Sequence, residues 1–506
     1  MQARKLRHLT ELASAVPADA TTHDFATASQ ALAKPPELTW RDHAIMLLHI
    51  AASIEHALMV QYLFAAYSLG GDQVPEAHRP MVEGWRNSIL AVAKEEMGHL
   101  LTVQNVTALL GGPVSLDRED YPWDNPFYPA PFTLAPLSLG SLAIYVFAEM
   151  PEVWEHDNDD KEEIIRLAQQ QAQAFGGSSR PAVNRVGIIY KTLIQILADH
   201  RCIPDAAFHA DSVPQQASWD EWGRGYHGGP RVANVMVDVV ATRDEALDAL
   251  RKIASQGESP NAPTRAFEGY PDGERPPASV RLEHRVRRAE EKAEPPVPRE
   301  ARQQDRSHFE RFLWIYRDYV RTTRRKKWNA AHEVLVNPAA AAQAGCNEIT
   351  DPASKTWANL FNLRYRMLLT YLTHTLLIAR QEEDGEAPSI RGAVMHRVFT
   401  EMYNLKTVAG ILVRRPAGAT DGVRAGPPFQ MPYTLDLPAT PRNRWLLHKD
   451  LILEAGNLRC ELLKLPGAPS REEAGYLAAM ADIDGQTGAW LDRLVEGGGL
   501  RRRAVA

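Results

Sequence analysis

Hydrophobic residues recur at intervals of three or four along most of the chain, which is the period of an α-helix with one buried face. This pattern predicts a long helix from Leu38 to Leu69, with Thr39 as its N-cap and Gly70-Gly71 at its end. A second long helix is predicted from about Glu83 to Leu110. The fold class is therefore mainly all-α.

A segment rich in proline and aromatic residues follows the second helix. Its sequence, YPWDNPFYPAPFTLAPLSL, predicts an extended crossover packed over the helices. Further helices are then predicted, and Pro151 ends or kinks the first of them. These helices are Ser141–Met150, Asp160–Ala174, Pro181–His200 and Glu300–Arg324.

A small α/β insertion is predicted at about residues 203–299. In it, VANVMVDVVA has the alternation of a strand, and TRDEALDALRKIASQGE predicts a short helix with Thr242 as its N-cap. The stretch Ser259–Arg299 is rich in Pro, Glu and Arg. That composition favours a linker over a lid.

The length of 506 residues suggests two or three domains. We predict an N-terminal extension at 1–37, a helical bundle at 38–330 that contains the insertion, and a C-terminal helical region at 331–506. Three amphipathic helices are predicted in the last region, which is either a second bundle or an extension that walls the pocket. Their sequences are TWANLFNLRYRMLLTYLTHTLLIARQ, GAVMHRVFTEMYNLKTVAGILV and NRWLLHKDLILEAGNLRCELLKL.

Charge and composition exclude several classes of partner. With 57 Lys+Arg against 63 Asp+Glu, the chain has no overall basic field for nucleic acid. The longest apolar stretch, Ala44–Leu69, contains Glu55 and His56, which a membrane span tolerates poorly. Three well-separated cysteines and an N-terminus without a continuous apolar stretch predict a reducing compartment, and hence the cytoplasm. The oligomeric state is left open, a homo-oligomer included.

The first candidate for chemistry is a carboxylate on the buried face of the first helix. Glu55 shares this face with Leu48, Ala52 and Tyr62. A buried carboxylate must be neutralised, paired or bound to a metal. Taken alone, Glu55 fits an ion pair in the core as well as a metal site.

An E-x-x-H motif lies on the buried face of the second helix. Glu96 and His99 are one helical turn apart, so that both side chains can meet one ion, or the glutamate can bridge to a second ion. Glu95 falls off this face and is predicted to point to solvent.

Two later helices carry further candidates. Glu149 is favoured as a third carboxylate because it follows the apolar face of its helix, and Glu152 is the alternative beyond Pro151. Asp305 and His308 form a D-x-x-H pair with the same spacing as Glu96 and His99.

A Glu, an E-x-x-H, a Glu and a D-x-x-H on four helices predict a dinuclear carboxylate metal centre. Oxygen ligands with one imidazole for each ion suit Fe(II) or Mn(II), and two irons are our prediction. Because Asp305 is shorter than a glutamate, a single iron is the alternative. Tyr62 and Tyr67 could donate a proton or an electron near Glu55, although packing is the favoured interpretation for both.

The blocks that hold these residues resemble the ferritin-like iminophenyl-pyruvate dimer synthase family over about residues 38–435. The resemblance implies a ferritin-like four-helix bundle. The blocks include IEHALMVQYLFAAYSL, AVAKEEMGHLLTVQNVTALLGG, LAIYVFAEMPE, ALRKIASQGE, DRSHFERFLWIYRDY and AGPPFQM. Members of the family that have been characterised couple two amino-acid-derived imines oxidatively, beside a flavin-dependent amino-acid oxidase, in bisindole pigment pathways.

The leading hypothesis is a non-haem di-iron oxidoreductase of secondary metabolism that acts on a small amino-acid-derived metabolite with O2 or peroxide. Two alternatives are oxidative dimerisation of an aryl-pyruvate imine and a non-catalytic metal-binding or scaffold protein with a degraded site. One departure bears on them, because RVGIIYKTLIQIL has no carboxylate at a helix where the family has one. If the third carboxylate belonged there, the site would be mononuclear or degraded.

Overall fold

Twelve α-helices make up nearly all the regular structure that the computed structural model of this protein describes. The described residues are 34–150, 158–176, 186–222, 235–257, 307–324, 328–380, 389–420, 422–465 and 469–496. In chain order the helices are α1 Trp40–Ser68, α2 Arg79–Leu109, α3 Leu139–Ala148, α4 Asn158–Ala174, α5 Val186–Ala198, α6 Trp219–Trp222, α7 Arg243–Gly257, α8 His308–Tyr319, α9 Pro352–Thr375, α10 Ile390–Leu412, α11 Pro441–Leu462 and α12 Arg471–Glu496.

Shorter elements complete the regular structure. The strands β1 Pro338–Ala339 and β2 Asn347–Glu348 form one parallel pair. Three 3-10 turns and one π-helical turn, which continues α8, occur at Glu76–His78, Asp205–Ala207, Ala210–Gln215 and Val320–Arg324. The mainly α fold class predicted from the sequence is confirmed.

Helix α1 forms the buried centre of the N-terminal bundle. Thr39 caps it as predicted, since its side chain accepts a hydrogen bond from the backbone of Asp42 while Asp42 accepts one in return. By length and composition α1 could cross a membrane, yet 78% of its apolar window is buried inside the protein. The apolarity of α1 is therefore that of a core helix.

Helix α2 packs along α1 and begins earlier than the sequence pattern predicts. It starts at Arg79 instead of Glu83, with Pro80 in the first turn. Proline suits that position because its missing N–H is not needed there. Gly111, with a φ of 67°, follows the end of the helix and reverses the chain.

Two further helices, α3 and α8, pack on each other and complete the bundle. Ser138 caps α3, which ends at Ala148 with Glu149 as its C-cap. Helix α8 begins at His308 because Ser307 and Glu310 form a capping box. The predicted helix Glu300–Arg324 is not continuous, because the backbone of Ser307 is extended, and residues 300–306 lie outside the described residues.

The insertion contributes a helix to the bundle wall but no strand within its described residues. Helix α7 packs against α2, α5 and α8. The segment 235–241 has no regular secondary structure, and side chains bond its backbone where a neighbouring strand would. Gln216 bonds both backbone groups of Val240, and Thr102 accepts from the backbone N–H of Asp238. The predicted strand is therefore wrong. The predicted linker 259–299 lies outside the described residues.

The C-terminal region holds four helices, one more than the sequence pattern indicated. Helix α9 packs against α10 and α11, and α11 packs against α12, which the pattern missed. A buried hydrogen bond of 2.6 Å joins the hydroxyl of Tyr365 in α9 to Nε2 of His56 in α1. This part of the structure is thus a second helical bundle that also braces α1. The predicted domain boundaries stay predictions.

Candidate metal centre

Five buried side chains with metal-binding atoms meet inside the N-terminal bundle. Their residues are each between 1% and 4% exposed. Glu55 lies in the middle of α1, Glu96 and His99 lie on α2, Glu149 directly follows α3, and His308 is the first residue of α8. Four separate segments of the bundle therefore supply one site.

The first group of ligand atoms joins α1 to α2. Atoms of Glu55, Glu96 and His99 lie within 4.8 Å of one another. Nδ1 of His99 is 2.8 Å from Oε2 of Glu96 and 3.5 Å from Oε2 of Glu55. These two carboxylates and one imidazole can hold one ion.

The second group joins α2 to α3 and α8. Atoms of Glu96, Glu149 and His308 also lie within 4.8 Å of one another. Nδ1 of His308 is 3.1 Å from Oε1 of Glu96 and 3.7 Å from Oε2 of Glu149. Glu96 therefore takes part in both groups and presents a different oxygen to each histidine.

A second layer of contacts orients both imidazoles. Nε2 of His99 lies 2.9 Å from Oε1 of Gln256 in α7, and Nε2 of His308 lies 2.8 Å from Oε2 of Glu95. Arg311 donates to the other oxygen of Glu95 at 3.0 Å. When Nε2–H donates outwards, Nδ1 keeps its lone pair for the site, as is usual for metal-binding histidines.

Two tyrosines each hold one of the outer carboxylates. The hydroxyl of Tyr62 donates to Oε1 of Glu149 at 2.5 Å, and the hydroxyl of Tyr190 in α5 donates to Oε1 of Glu55. The ring of Tyr62 packs against Tyr145 and Phe312. The two halves of the site thus share the same plan of one histidine, one outer carboxylate and one tyrosine.

Burial of several charges together shifts the protonation of the site. Burial and the nearby charge of Glu96 raise the pKa of Glu55 to about 7. Burial alone would lower the pKa of His99, but the adjacent carboxylates of Glu55 and Glu96 raise it to about 10, and carboxylates raise that of His308 well above its usual value. Without a metal, protons on the two histidines thus offset the carboxylate charges.

Two buried atoms of the site have the free lone pairs that a metal ion would need. Oε2 of Glu55 and Nδ1 of His308 are buried without a hydrogen-bond partner. Buried polar atoms almost always have partners, and both of these atoms belong to the ligand groups. Three carboxylates and two imidazoles are a donor set that suits Fe(II) or Mn(II). These residues could hold a metal.

Comparison with known proteins identifies the fold family of this bundle. Residues 48–278 match the ferritin-like family model. The N-terminal bundle has a ferritin-like fold. The chain is also 24% identical over 423 residues to dichlorochromopyrrolate synthase of Lentzea aerocolonigenes, a match that covers 78% of this chain and 36% of that protein. The resemblance predicted from the sequence is thereby confirmed, although the match spans only about a third of that relative's length.

A solved ferritin-like protein from Caulobacter vibrioides is similar at 16% identity with a TM-score of 0.39. The match covers 74% of this chain and 98% of that one.

The ferritin-like bundle brings together five of the seven ligands predicted from the sequence, namely Glu55, Glu96, His99, Glu149 and His308. Glu152 and Asp305 lie outside the described residues. Helix α8 begins at His308 with Ser307 as its N-cap, so the helical turn expected between Asp305 and His308 stays a prediction.

Two expectations about neighbouring residues are wrong. Glu95 does not face solvent: it is 2% exposed and lies between His308 and Arg311. Tyr67 does not lie at this site but lines a separate cavity, whereas Tyr62 bonds directly to a candidate ligand.

Three contributors to the ferritin-like site were missed, and only one had a usable signal. The spacing of His308 and Arg311 places an arginine one turn from a candidate ligand, and a buried arginine needs a carboxylate such as Glu95. The sequences around Tyr190 and Gln256 do not indicate that these two side chains reach the site. Only packing brings them to the site.

Proposed function

We propose that this ferritin-like protein is a non-haem oxidoreductase that holds two irons and oxidises a small amino-acid-derived metabolite with O2 or peroxide. The observation that carries the proposal is the position of Glu96, whose two oxygens face two different ligand groups. A single-metal site would need only one such group.

Each ion would have its own histidine and outer carboxylate. Glu55 and His99 would hold one iron, Glu149 and His308 the other, and Glu96 would bind both. Bound iron would supply Lewis acidity and redox chemistry that the side chains themselves lack.

The surrounding residues support chemistry of this kind. Burial and the charge of Glu149 raise the pKa of Tyr62 well above its usual value, so its hydroxyl stays protonated and holds Oε1 of Glu149 in place by donating a hydrogen bond. Tyr190 can do the same at Glu55. Because Tyr145 and Phe312 pack around Tyr62, that side of the site is shielded from water.

Metal content measured by elemental analysis tests the proposal. The full chain, expressed with added iron, is expected to hold about two irons, and His99→Ala and His308→Ala should each lose metal because each removes one imidazole. His396→Ala is the matched control, since His396 is exposed on α10. Metal that is absent, or indifferent to both changes, would leave the non-catalytic scaffold as the function.

Oxidative coupling of two aryl-pyruvate imines is a second candidate reaction at the same site. The similarity to dichlorochromopyrrolate synthase favours it. A flavin-dependent amino-acid oxidase would then supply the imine as a partner. Incubating the iron-loaded protein with such an oxidase and an aromatic amino acid should give a dimer of twice the monomer skeleton by mass spectrometry. An oxidised monomer would instead support the broader proposal.

A further inference from the structure

A second cavity of about 720 Å³ opens at one end of the N-terminal bundle, where α10 of the second bundle meets it. Its wall is formed by the turn after α1, the first turns of α2, the end of α10 and the segment around Arg424. A volume of this size is within the range of small-molecule sites, which is about 300 to 1,000 Å³.

This cavity is separate from the metal centre. None of the five candidate ligands lines it. Tyr67 lines it twelve residues beyond Glu55 on α1, and Arg86 lines it ten residues before Glu96 on α2. At a rise of 1.5 Å per residue these separations correspond to about 18 Å and about 15 Å along the two helices.

Positive charge dominates the wall. Arg79, Lys406, Arg414 and Arg424 line the cavity, and the structure gives none of these four side chains a carboxylate partner among its described residues. Glu83 in the wall is already paired with Arg86, which leaves Asp72 as the remaining lining acid. The lining therefore carries more positive than negative charge.

The positive charge of the lining lowers the pKa of a histidine in the cavity. Burial lowers the pKa of His332, and the charges of Arg424 and Arg414 lower it further. The N-terminus of α2 begins in the same wall and adds a partial positive charge.

Part of the cavity lining, here called the floor, is apolar. Tyr67, Leu69, Val82 and Val413 supply ring and aliphatic surface between the charged groups. A Cβ added at Gly410 would meet no atom within 4 Å, so this helix face leaves open space. A bare inorganic ion would fill neither the volume nor the apolar floor.

We propose that this cavity binds a small organic anion with an apolar or aromatic body and at least two negative charges, such as an aromatic dicarboxylate. The cationic wall would bind the charges, and the floor around Tyr67 would cover the body. The site is independent of the proposed redox function.

Isothermal titration of the full chain with benzene-1,2-dicarboxylate tests the proposal. One molecule should bind per chain, and replacing both Arg414 and Arg424 by glutamine should weaken binding at least tenfold, because unpaired cations would be lost. Gly410→Leu should abolish binding by filling the cavity, and its side chain has room to do so without a clash.

Three controls separate this result from other causes. Gly475→Leu makes the same change on α12, again into open space, and should bind like the wild type. Arg493→Gln, on the same helix, controls for loss of a cation. His99→Ala should bind normally, because His99 does not line the cavity.

Two outcomes of the titrations with the cavity variants and with phosphate would overturn the proposal. One is an affinity that is absent, or unchanged in both Gly410→Leu and the double arginine variant. The other is binding of inorganic phosphate as tight as that of the dicarboxylate, because the apolar floor would then contribute nothing. Loss of binding in His99→Ala would instead place the dicarboxylate at the metal centre and would also contradict the proposal.

Discussion

Nε2 of His308 lies 2.8 Å from Oε2 of Glu95, across the contact between α8 and α2. Glu95 stands next to the candidate bridging ligand Glu96, yet the two carboxylates act on different atoms of the same ring. Glu96 faces Nδ1, whereas Glu95 accepts at Nε2 and is itself held by Arg311. One pair of adjacent glutamates thus both faces and orients His308.

The first prediction follows from this pair. Glu95→Gln replaces the carboxylate acceptor of His308 by a neutral amide and should weaken metal binding about 10- to 100-fold, as loss of an orienting partner does elsewhere. An anaerobic titration with Fe(II) measures the change. Glu162→Gln on the exposed face of α4 is the matched control. Equal affinities for Glu95→Gln and wild type would show that Glu95 only neutralises Arg311.

Helical periodicity predicted most of the ferritin-like bundle because its helices have continuous apolar faces. It placed α1 within two residues at its start and found Thr39 as the cap. It failed where backbone groups bond to side chains, as in segment 235–241. The apolar and polar residues of this segment alternate as in a strand. Its sequence does not show that the side chain of Gln216 bonds its backbone in place of a neighbouring strand.

The candidate ligands were readable from the sequence because a buried carboxylate on an apolar face is rare. The outer partners were less readable. The sequence pattern predicts that Glu95 faces solvent because it identifies only one buried face of α2. Helix α8 covers the adjacent face as well, and its His308 contacts Glu95. Contacts such as His99 with Gln256 join residues 157 positions apart, and they arise only from tertiary packing.

A second prediction concerns the hydroxyl of Tyr62. Tyr62→Phe should leave the metal content unchanged but slow the oxidation of bound Fe(II) by O2 by about tenfold or more, because Glu149 would lose the hydroxyl that orients it. Stopped-flow absorbance follows the reaction. Tyr145→Phe is a close control, since its ring packs on Tyr62 while its buried hydroxyl donates to none of the candidate ligands. If both variants oxidise iron at the wild-type rate, Tyr62 serves packing alone.

A third prediction concerns a buried ion cluster in the second bundle. Arg364 donates to Glu401 at 3.1 Å and to Asp484 at 2.9 Å, and all three residues are buried. Arg364→Met would leave Glu401 without a cationic partner among the described residues. We expect a loss of about 3 to 5 kcal/mol in the free energy of unfolding, measured in urea.

Arg366 provides the control for this cluster. It lies two residues along α9 and stacks over the ring of Tyr433 at 5.0 Å, near the surface. Arg366→Met should cost less than about 1 kcal/mol. Equal losses for the two variants would contradict a special role for the buried cluster.

The last prediction is that acid destabilises the second bundle through a buried histidine pair. Nδ1 of His374 lies 2.9 Å from Nε2 of His448. Burial and the neighbouring His374 lower the pKa of His448 to about 3, while burial and Arg444 lower that of His374 to about 4. In the unfolded chain both histidines would titrate near 6.5.

As the pH falls below about 6.5, the two histidines therefore become protonated in the unfolded state but stay neutral in the folded state. The free energy of unfolding decreases progressively towards pH 4. His448→Phe keeps an aromatic ring against Tyr371 but cannot titrate. The two histidines together cause part of the drop in melting temperature between pH 7 and pH 5. His448→Phe should remove roughly half of that part. His396→Gln, at an exposed position of α10, should leave the drop as it is. A drop as steep in His448→Phe as in the wild type would assign the acid sensitivity to other groups.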